Sequence, residues 1–295
     1  MDIEPLRRRS FAIAYRMLGS VSEAEDVVQD ALLRVSQTPD IENPLAFVTT
    51  VTTRLAITEL QSARRRRETY VGSWLPEPVI TSDDPAVVSE TSEGVSMALL
   101  TALETLTPEQ RAALILHDVF DYGYDEVASI LDTSAANARQ LVSRARGYAT
   151  AGSSRFTVEP GAHAALVAAF FAAARSSDIE GLERLLAEDV AMTGDGGGVV
   201  PALGRTVSGR FRVAKTLVNG MREWGRYSGI TWRDVPVNGG PGQVFTDAAG
   251  RVLGVLALTV VDGVVTSVDA VVNPAKLAHL GEVGDLEAMQ RAPRD

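Results

Sequence analysis

The sequence predicts a multidomain protein in which two all-α domains, a helical bundle and a helix-turn-helix, are followed by an α+β domain. Apolar residues recur at helical spacing, between capping residues, through most of the first 150 residues. From about residue 68 to 92 the composition shifts to Pro, Gly, Ser and Asp, which is typical of a linker. Beyond residue 160, helical stretches come first and strand-like segments follow, which is an α+β order.

The composition limits the chemistry. The chain has 45% hydrophobic and 22% charged residues, as soluble globular proteins do, and it has no cysteine, which excludes disulfides, Cys-ligated zinc and thiol catalysis. Three scattered histidines (His117, His163 and His279) argue against a histidine metal site. Any chemistry must therefore use carboxylates, hydroxyls and arginines. We expect no cofactor, no metal and no catalytic residue.

No apolar run is long enough to cross a membrane, and the opening MDIEPLRRRS lacks the apolar core of a signal peptide. We expect a cytoplasmic protein without a membrane partner. The net charge of −10 opposes tight unaided binding to nucleic acid, so any DNA binding is expected to need help.

The first helical domain shows two well-marked helices. Ser20 or Ser22 caps the first, which buries Ala24, Val27, Val28, Ala31, Leu32 and Val35 and leaves Glu25, Asp26, Gln29 and Asp30 on its opposite face. The second begins at Asn43 and Pro44, a cap followed by proline, and ends in the arginines Arg64, Arg65, Arg66 and Arg67. The end of this helix is strongly basic.

The linker contains WLPEP, residues 74–78, which is too apolar for a solvated spacer. Two prolines restrict the segment, and Trp74 with Leu75 forms a rigid apolar anchor. Either another domain grips this anchor, or it packs locally on the first domain.

The next helices form a predicted helix-turn-helix. Thr107, Pro108 and Gln110 begin one helix, and YDEVASIL, the turn DTS and AANARQLVSRARGYA follow. Asp132 in that turn is expected to take the left-handed conformation. The last helix buries Ala138, Leu141, Val142 and Ala145; its outward polar residues, suited to reading base edges in the major groove, are Ser134, Asn137, Arg139, Gln140, Ser143 and Arg144.

The carboxyl-terminal part begins with two predicted helices, residues 163–177 and 178–189. A run of antiparallel strands is expected after them, and residues 281–295 are expected to form a tail. The predicted strands are VAMTGDGGG, GITWRDVPV, GQVFTD, RVLGVLALTVVDG and VVTSVDAVV.

These residues resemble a known family. GSVSEAEDVVQDALLRV, the basic helix after it, and LTPEQRAALILHDVFDYGYDEVASILDTSAANARQLVSRAR are similar to the two conserved domains of an extracytoplasmic-function (ECF) sigma factor, the promoter-recognition subunit of bacterial RNA polymerase. WLPEP, GDGGG (residues 194–198) and NPAKL (residues 273–277) resemble motifs of the SigJ-like subgroup, in which a SnoaL-like (NTF2-like) domain is fused at the carboxyl end.

The resemblance implies a function for each segment of the chain. Residues 1–67 are sigma domain 2, for core polymerase and the downstream promoter element, and residues 68–89 are the linker. Residues 90–150 are sigma domain 4, for the upstream element, and residues 155–280 are a cone-shaped regulatory domain. It also implies that the loop from Thr38 to Asn43 captures a flipped promoter base.

The resemblance also assigns roles to the residues above, with the β and β′ subunits of core polymerase and promoter DNA as partners. The residues expected to bind polymerase are Glu25, Asp26, Gln29 and Asp30. DNA binding falls to Arg54, Arg64, Arg65, Arg66, Arg67, Ser134, Asn137, Arg139, Gln140, Ser143 and Arg144. Contact between domains falls to Trp74, Leu75, Pro76, Glu77, Pro78, Asp195, Gly196, Gly197, Gly198, Asn273, Pro274, Lys276 and Leu277.

Some positions depart from the family pattern. Thr58 stands where many members have an aspartate, Val199 replaces the lysine after DGGG, and Ala275 replaces the aspartate of NPDKL. We therefore expect the hold on the linker to depend more on backbone and apolar contacts than on charge.

The cone of the third domain is a candidate site for a small ligand or for catalysis. Trp224, Tyr227 and Trp232 are expected either to line the cone, which leaves room for a small ligand, or to fill it. Related folds host isomerases and cyclases, so Asp195 is a candidate general base, but no second polar group partners it in the sequence. GDGGG lacks the Lys-Ser/Thr of a phosphate-binding loop and is expected to be a turn.

Two other functions remain open. A stand-alone helix-turn-helix regulator would bind operators without polymerase, but the acidic helix at residues 23–35 has no role in it. A SnoaL-like isomerase or cyclase with accessory helices would depend on Asp195.

Overall fold

The structure is a computed structural model that describes residues 2–81, 96–153, 164–286 and 288. The end of the predicted linker, the start of the predicted third domain, His163 and most of the predicted tail lie outside these residues. Within them the chain divides into a helical unit, residues 2–69 and 99–153, and a sheet unit, residues 70–81, 96–98 and the described residues from 164 onward.

The first helix group of the helical unit consists of three helices. They are α1 (Glu4–Leu18), α2 (Val21–Gln37) and α3 (Pro44–Arg67). Ser20 caps α2 by accepting a hydrogen bond from Glu23 N at 3.2 Å, and Asn43 caps α3 from Ala46 N at 3.1 Å, as predicted. The predicted apolar face of α2 is buried, except that Leu32 is half-buried.

The second helix group follows. It consists of α4 (Met97–Leu103), α5 (Pro108–Leu114), a π-helical turn (Ile115–Val119), α6 (Tyr124–Ile130) and α7 (Ala135–Ser153). Thr107 and Gln110 form the predicted capping box. Asp132 has a φ of 53°, so the helix-turn-helix turn uses the left-handed conformation expected for it. Ala138, Val142 and Ala145 are buried in the stripe that α7 presents to α5 and α6.

The described part of the sheet unit has two helices, then a six-stranded sheet with one helix inserted, and then a short helix after the last strand. The helices are α8 (Ala164–Ser176), α9 (Ile179–Leu185), α10 (Arg210–Trp224) and the short α11 (Pro274–Leu277). The sheet order is β2-β1-β6-β5-β4-β3. The strands are β1 (Leu186–Asp195), β2 (Val207–Ser208), β3 (Thr231–Val237), β4 (Gly240–Thr246), β5 (Val252–Val261) and β6 (Val264–Val271).

Three details correct the sequence predictions. The second helix ends at Leu185 rather than residue 189, because Leu186 already enters β1. The β1–β6 pair is parallel, whereas the other pairs are antiparallel. The helix α10 was missed, since it buries only Val213, Ala214, Leu217 and Val218 and lies between glycines that read as turns.

The sheet separates two cores. Phe170, Phe171, Leu217 and Leu256 belong to the core between the sheet and α8, α9 and α10. The other core contains Leu75 of the linker with Val235, Val255, Val271 and Leu277. Linker backbone also pairs with the β3 edge, where Thr81 N donates to Pro236 O at 3.0 Å and Asn238 N donates to Val79 O at 2.8 Å. The linker is therefore part of the sheet unit.

Asp269 in β6 gives this fold a pH dependence. Its side chain is 4% exposed, and it accepts a hydrogen bond from Ser267 Oγ at 3.3 Å. Burial raises the pKa of the Asp269 carboxyl from about 3.8 to about 7. Because the folded-state pKa lies above the unfolded one, ionisation costs stability as the pH rises through this window.

We predict that Asp269→Asn, which stays neutral, gains stability relative to wild type as the pH rises. For a shift of this size, the gain between about pH 5 and about pH 8 is roughly 2 to 3 kcal/mol. Urea denaturation of both proteins at the two pH values measures it. A difference between the proteins that is the same at both pH values would contradict the raised pKa.

Candidate functional site

The acidic face of α2 is exposed, as predicted. Asp26, Gln29 and Asp30 are exposed, while Glu25 accepts a hydrogen bond from Arg7 Nη2 at 2.7 Å. Leu33, one turn further along the same face, is 54% exposed. The sequence prediction missed this leucine, although its spacing from Asp26 and Asp30 places it there. The face therefore combines carboxylates with an apolar anchor.

The predicted DNA-binding arginines of α3 have different surroundings. Arg65 is exposed, and Arg66 pairs with Glu23 at 2.5 Å and Glu59 at 2.7 Å. The other three contact the second helix group. Arg54 donates to Ile130 O at 2.9 Å and to Ser129 O at 3.2 Å, Arg64 donates to Glu104 O at 3.3 Å, and Arg67 pairs with the Glu104 carboxylate.

Glu104 is the centre of the contact between the two helix groups. Its carboxylate lies between Arg67 and the fully buried Arg111, whose Nε donates to Arg16 O at 2.9 Å. Burial raises the pKa of Glu104, but the charges of Arg111 and Arg67 outweigh it and hold the pKa below its ordinary value. Glu104 is therefore ionised at neutral pH. Nothing in the one-dimensional pattern marked Glu104 or Arg111.

A second contact joins the groups through aromatic rings. The Arg9 guanidinium lies 4.1 Å from the centroid of Phe120, and its Nη2 donates to Tyr122 Oη at 3.4 Å. Tyr122 Oη in turn donates to Thr49 Oγ1 at 3.3 Å. The Glu104 contact and the aromatic contact both involve α1 and α3 of the first helix group.

All six predicted reading residues of α7 and its cap are exposed. Gln140, Ser143 and Arg144 are exposed in its first turns. Ser134 caps the helix by accepting from Asn137 N at 3.2 Å, and Asn137 Nδ2 donates to Thr133 Oγ1 at 2.8 Å. The guanidinium of the exposed Arg139 lies 4.8 Å from the Tyr124 ring centroid.

Asp195 of GDGGG binds the linker through hydrogen bonds inside the sheet unit. It is fully buried and accepts hydrogen bonds from Tyr70 Oη at 2.5 Å, Leu75 N at 2.8 Å and Lys276 Nζ at 2.6 Å. Gly197 N adds a fourth at 3.0 Å. We call Tyr70, Leu75, Asp195, Asn273 and Lys276 the clasp.

Lys276 of NPAKL completes the clasp. Its Nζ donates to Leu75 O and lies 4.2 Å from the Trp74 ring centroid. Asn273 Nδ2 donates to Tyr70 Oη at 2.8 Å. Burial and the neighbouring Asp195 raise the pKa of Tyr70, so it remains a phenol donor. Backbone and apolar contacts of Leu75 hold the linker, as expected, and a buried ion pair between Asp195 and Lys276 adds to them, although Val199 and Ala275 carry no charge.

The glycines of GDGGG fit a turn, as predicted. Gly197 and Gly198 have φ of 64° and 73°, in the left-handed region. A Cβ on Gly196 would lie 2.0 Å from Val200 O, and one on Gly197 would lie 2.4 Å from Asn273 Nδ2. The motif therefore brings backbone close to NPAKL. Pro76, Glu77 and Pro78 of the linker are buried as well.

One cavity of the sheet unit lies on the helix side of the sheet. Trp224, Trp232, Phe245 and Met221 are among its lining residues, and its volume is about 70 Å³. Tyr227 is not part of the lining; its ring packs beside Trp224. Asp195 is not in the lining either, since it faces the linker. The arrangement does not support Asp195 as a general base acting in this cavity.

Comparison with known proteins identifies the helix groups. The family model described as "Sigma-70 region 2" matches residues 3–66, and the model "Sigma-70, region 4" matches residues 96–147. The ECF RNA polymerase sigma factor SigJ of Mycobacterium tuberculosis (strain ATCC 25618 / H37Rv) is 38% identical over 287 residues, covering 93% of this chain and 92% of that protein. The chain belongs to the ECF sigma factors.

Two further comparisons agree with this membership. The probable ECF sigma factor SigI of M. tuberculosis (strain CDC 1551 / Oshkosh) is 32% identical, covering 91% of each chain. The crystal structure of M. tuberculosis SigJ superposes with a TM-score of 0.75 at 37% identity, covering 94% of this chain and 97% of that one. The predicted family and fold class are confirmed, including the carboxyl-terminal helix-and-sheet domain.

As an ECF sigma factor, the protein binds RNA polymerase core and promoter DNA and directs transcription initiation. The two alternatives, a stand-alone regulator and an isomerase or cyclase, are not favoured. No helix in the described part of the chain is long and apolar enough to span a bilayer. Among the same residues, no group of three or more His, Asp or Glu could hold a metal.

We predict that Asp195 and Lys276 are energetically coupled. Removing one partner leaves the other charge buried and unpaired, so Asp195→Asn or Lys276→Met alone is expected to cost about 3 to 5 kcal/mol of folding stability. The double variant is expected to cost less than the sum. Urea denaturation of the four proteins of this cycle measures the coupling.

Arg251→Met is the matched control, because Arg251 pairs with Asp247 at 2.7 Å while remaining 43% exposed. We expect it to cost much less than either clasp substitution, because solvent screens an exposed ion pair. Additive effects of the two clasp substitutions would contradict the coupling.

Proposed function

We propose that this ECF sigma factor exists in a closed form, in which sigma domains 2 and 4 hold each other, and that it must open to engage a promoter. The observation that carries the proposal is that Arg54, Arg64 and Arg67 contact the second helix group. These arginines cannot contact promoter phosphates while they bind Glu104 and the carbonyls of α6. We assign sigma domain 2 to residues 1–67 and sigma domain 4 to residues 90–150.

In the open form, the predicted residues take up their DNA contacts. Arg54 and the arginines at 64–67 lie along phosphates near the downstream element, and the loop from Thr38 to Asn43 holds a flipped base. Ser134, Asn137, Arg139, Gln140, Ser143 and Arg144 of α7 read the upstream element in the major groove. The acidic balance of the chain fits binding that is assisted by polymerase.

The face of α2 formed by Glu25, Asp26, Gln29, Asp30 and Leu33 docks on the β′ subunit of core polymerase. Carboxylates steer the face to a basic partner, and the exposed leucine supplies an apolar anchor. A stand-alone operator binder has no use for such a face. Because the enzyme it serves acts on chromosomal DNA, we infer that the protein works in the cytoplasm.

The clasp limits how far the sigma domains can separate. Residues 70–81 follow α3 directly and are bound along the sheet unit. Released, these twelve residues would add up to about 40 Å of extended chain between the domains. We infer that residues 155–280, through Trp74 to Pro78, GDGGG and NPAKL, regulate opening.

The sheet unit acts as a regulator without catalysis. Asp195, its candidate base, is committed to the clasp, and no carboxylate is among the residues lining the cavity. A volume of about 70 Å³ is also well below the roughly 300 Å³ of typical ligand sites. A small ligand there would need the cavity to widen.

We predict that Glu104→Gln favours the open form, because it replaces the carboxylate that holds Arg67 and Arg111. Run-off transcription at limiting core polymerase is expected to rise several-fold. Urea denaturation checks that the variant is folded under the assay conditions. Glu109→Gln, which removes a charge from the same helix group without a partner in the contact, is expected to behave as wild type. A folded Glu104→Gln protein with unchanged output would contradict the closed form.

We predict that Gln140→Ala relaxes selectivity at the upstream element. Loss of a bidentate base contact costs roughly 1 to 3 kcal/mol of discrimination, or about 5- to 150-fold. Transcription from a panel of single-base variants of that element measures it. Arg146→Gln is the control, because Arg146 pairs with Asp118 at 2.6 Å. Equal discrimination by Gln140→Ala and wild type across the panel would refute the role of Gln140.

A further inference from the structure

The positive charge of the sheet unit is concentrated on α10 and on the segments beside it. Residues 205–226 contain six Arg or Lys and one acid, Glu223, in a chain of net charge −10. The rest of residues 155–295 contains eight basic and fifteen acidic residues. A basic segment of this kind in an acidic chain favours a polyanionic partner.

The cations of this segment face solvent. The helix α10 packs its apolar side on the sheet core through Val213, Ala214, Leu217 and Val218. Phe211, Lys215 and Arg222 fall on one side of α10 at helical spacing, and Phe211 is 56% exposed. The exposed basic residues are Arg205, Arg210, Arg212, Lys215, Arg222 and Arg226. We call this surface the α10 basic face.

The acid in the segment does not neutralise the face. Glu223 pairs with Arg226 at 2.8 Å, at the far end of α10. Arg212 and Lys215 lie near the amino end, where the helix dipole adds positive potential. The strongest positive potential is therefore expected around Phe211.

The chemistry of the face favours nucleic acid over a membrane. Arg and Lys neutralise phosphates, and an exposed aromatic ring among them packs against sugars or bases. An interfacial membrane helix would need its apolar side exposed, but the apolar side of α10 is buried in the sheet core.

We propose that the α10 basic face contacts backbone phosphates of promoter duplex, outside the two elements read by the sigma domains. This inference rests on the sigma-factor function and extends it, since the face lies outside the segments that match regions 2 and 4. The contact adds to binding once polymerase and the sigma domains hold the DNA nearby, at high effective concentration. The net negative charge of the chain therefore does not prevent it.

The test is the salt dependence of promoter binding by full-chain holoenzyme. Each lost phosphate contact lowers the slope of log affinity against log salt by about 0.9, so Arg212→Gln with Lys215→Gln should lower it by about 2. Arg175→Gln with Arg233→Gln removes the same charge from two exposed positions of the sheet unit outside the face, and its slope should match wild type. A long promoter fragment is the probe.

Two further measurements separate the proposal from its rivals. On a short fragment that ends at the two promoter elements, the difference between the α10 variant and wild type should disappear. Affinity for core polymerase without DNA should equal wild type. An unchanged slope on the long fragment, a difference that persists on the short one, or a loss of core binding would each overturn the proposal, the last by indicating an acidic protein partner. Promoter-specific transcription by wild type in the same assay shows that the sigma function itself is intact.

Discussion

The buried ion pair between Asp195 and Lys276 makes the linker a part of the sheet unit. An ion pair in a protein interior is costly unless its remaining hydrogen-bonding capacity is filled. Here Tyr70, Leu75 and Gly197 supply donors to the carboxylate, and Lys276 also binds Leu75 O. The pair therefore favours one position of the linker on the sheet unit more than it adds stability.

The contact between the sigma domains also depends on a carboxylate that is paired with cations, and this carboxylate belongs to Glu104. Glu104 places a carboxylate between Arg67 and Arg111, and arginine pairs with carboxylate and phosphate through similar bidentate geometry. In the proposed open form, a DNA phosphate would replace Glu104 as the partner of Arg67, so that the arginine would stay paired. Because buried pairs are close to neutral in net stability, such an exchange of acceptors would be a low-cost route between the proposed closed and open forms.

Local features of the fold were predictable from sequence, and long-range partners were not. Ser20, Asn43 and Thr107 cap helices through contacts three residues away, so the local sequence pattern indicated them, with Ser22 as the alternative to Ser20. Asp195 and Lys276 were singled out by motif, yet their pairing joins residues 81 apart and appeared only in three dimensions. Glu104 was missed for the same reason. The helix α10 was missed because its narrow buried stripe and flanking glycines resemble a loop pattern.

The strand β6 is the physical link between the cavity and the clasp. Ala270 and Val272 face the cavity, whereas Val271 packs in the core that holds Leu75. Val272 N and Asn273 N both donate to Asp195 O, at 2.8 and 3.0 Å, immediately beside the clasp. A displacement of Val272 by cavity contents would therefore move the backbone that positions Asp195 and Asn273. Because packed interiors transmit such strain, a signal that acts on the cavity would reach the linker through β6 without any contact of its own with the sigma domains.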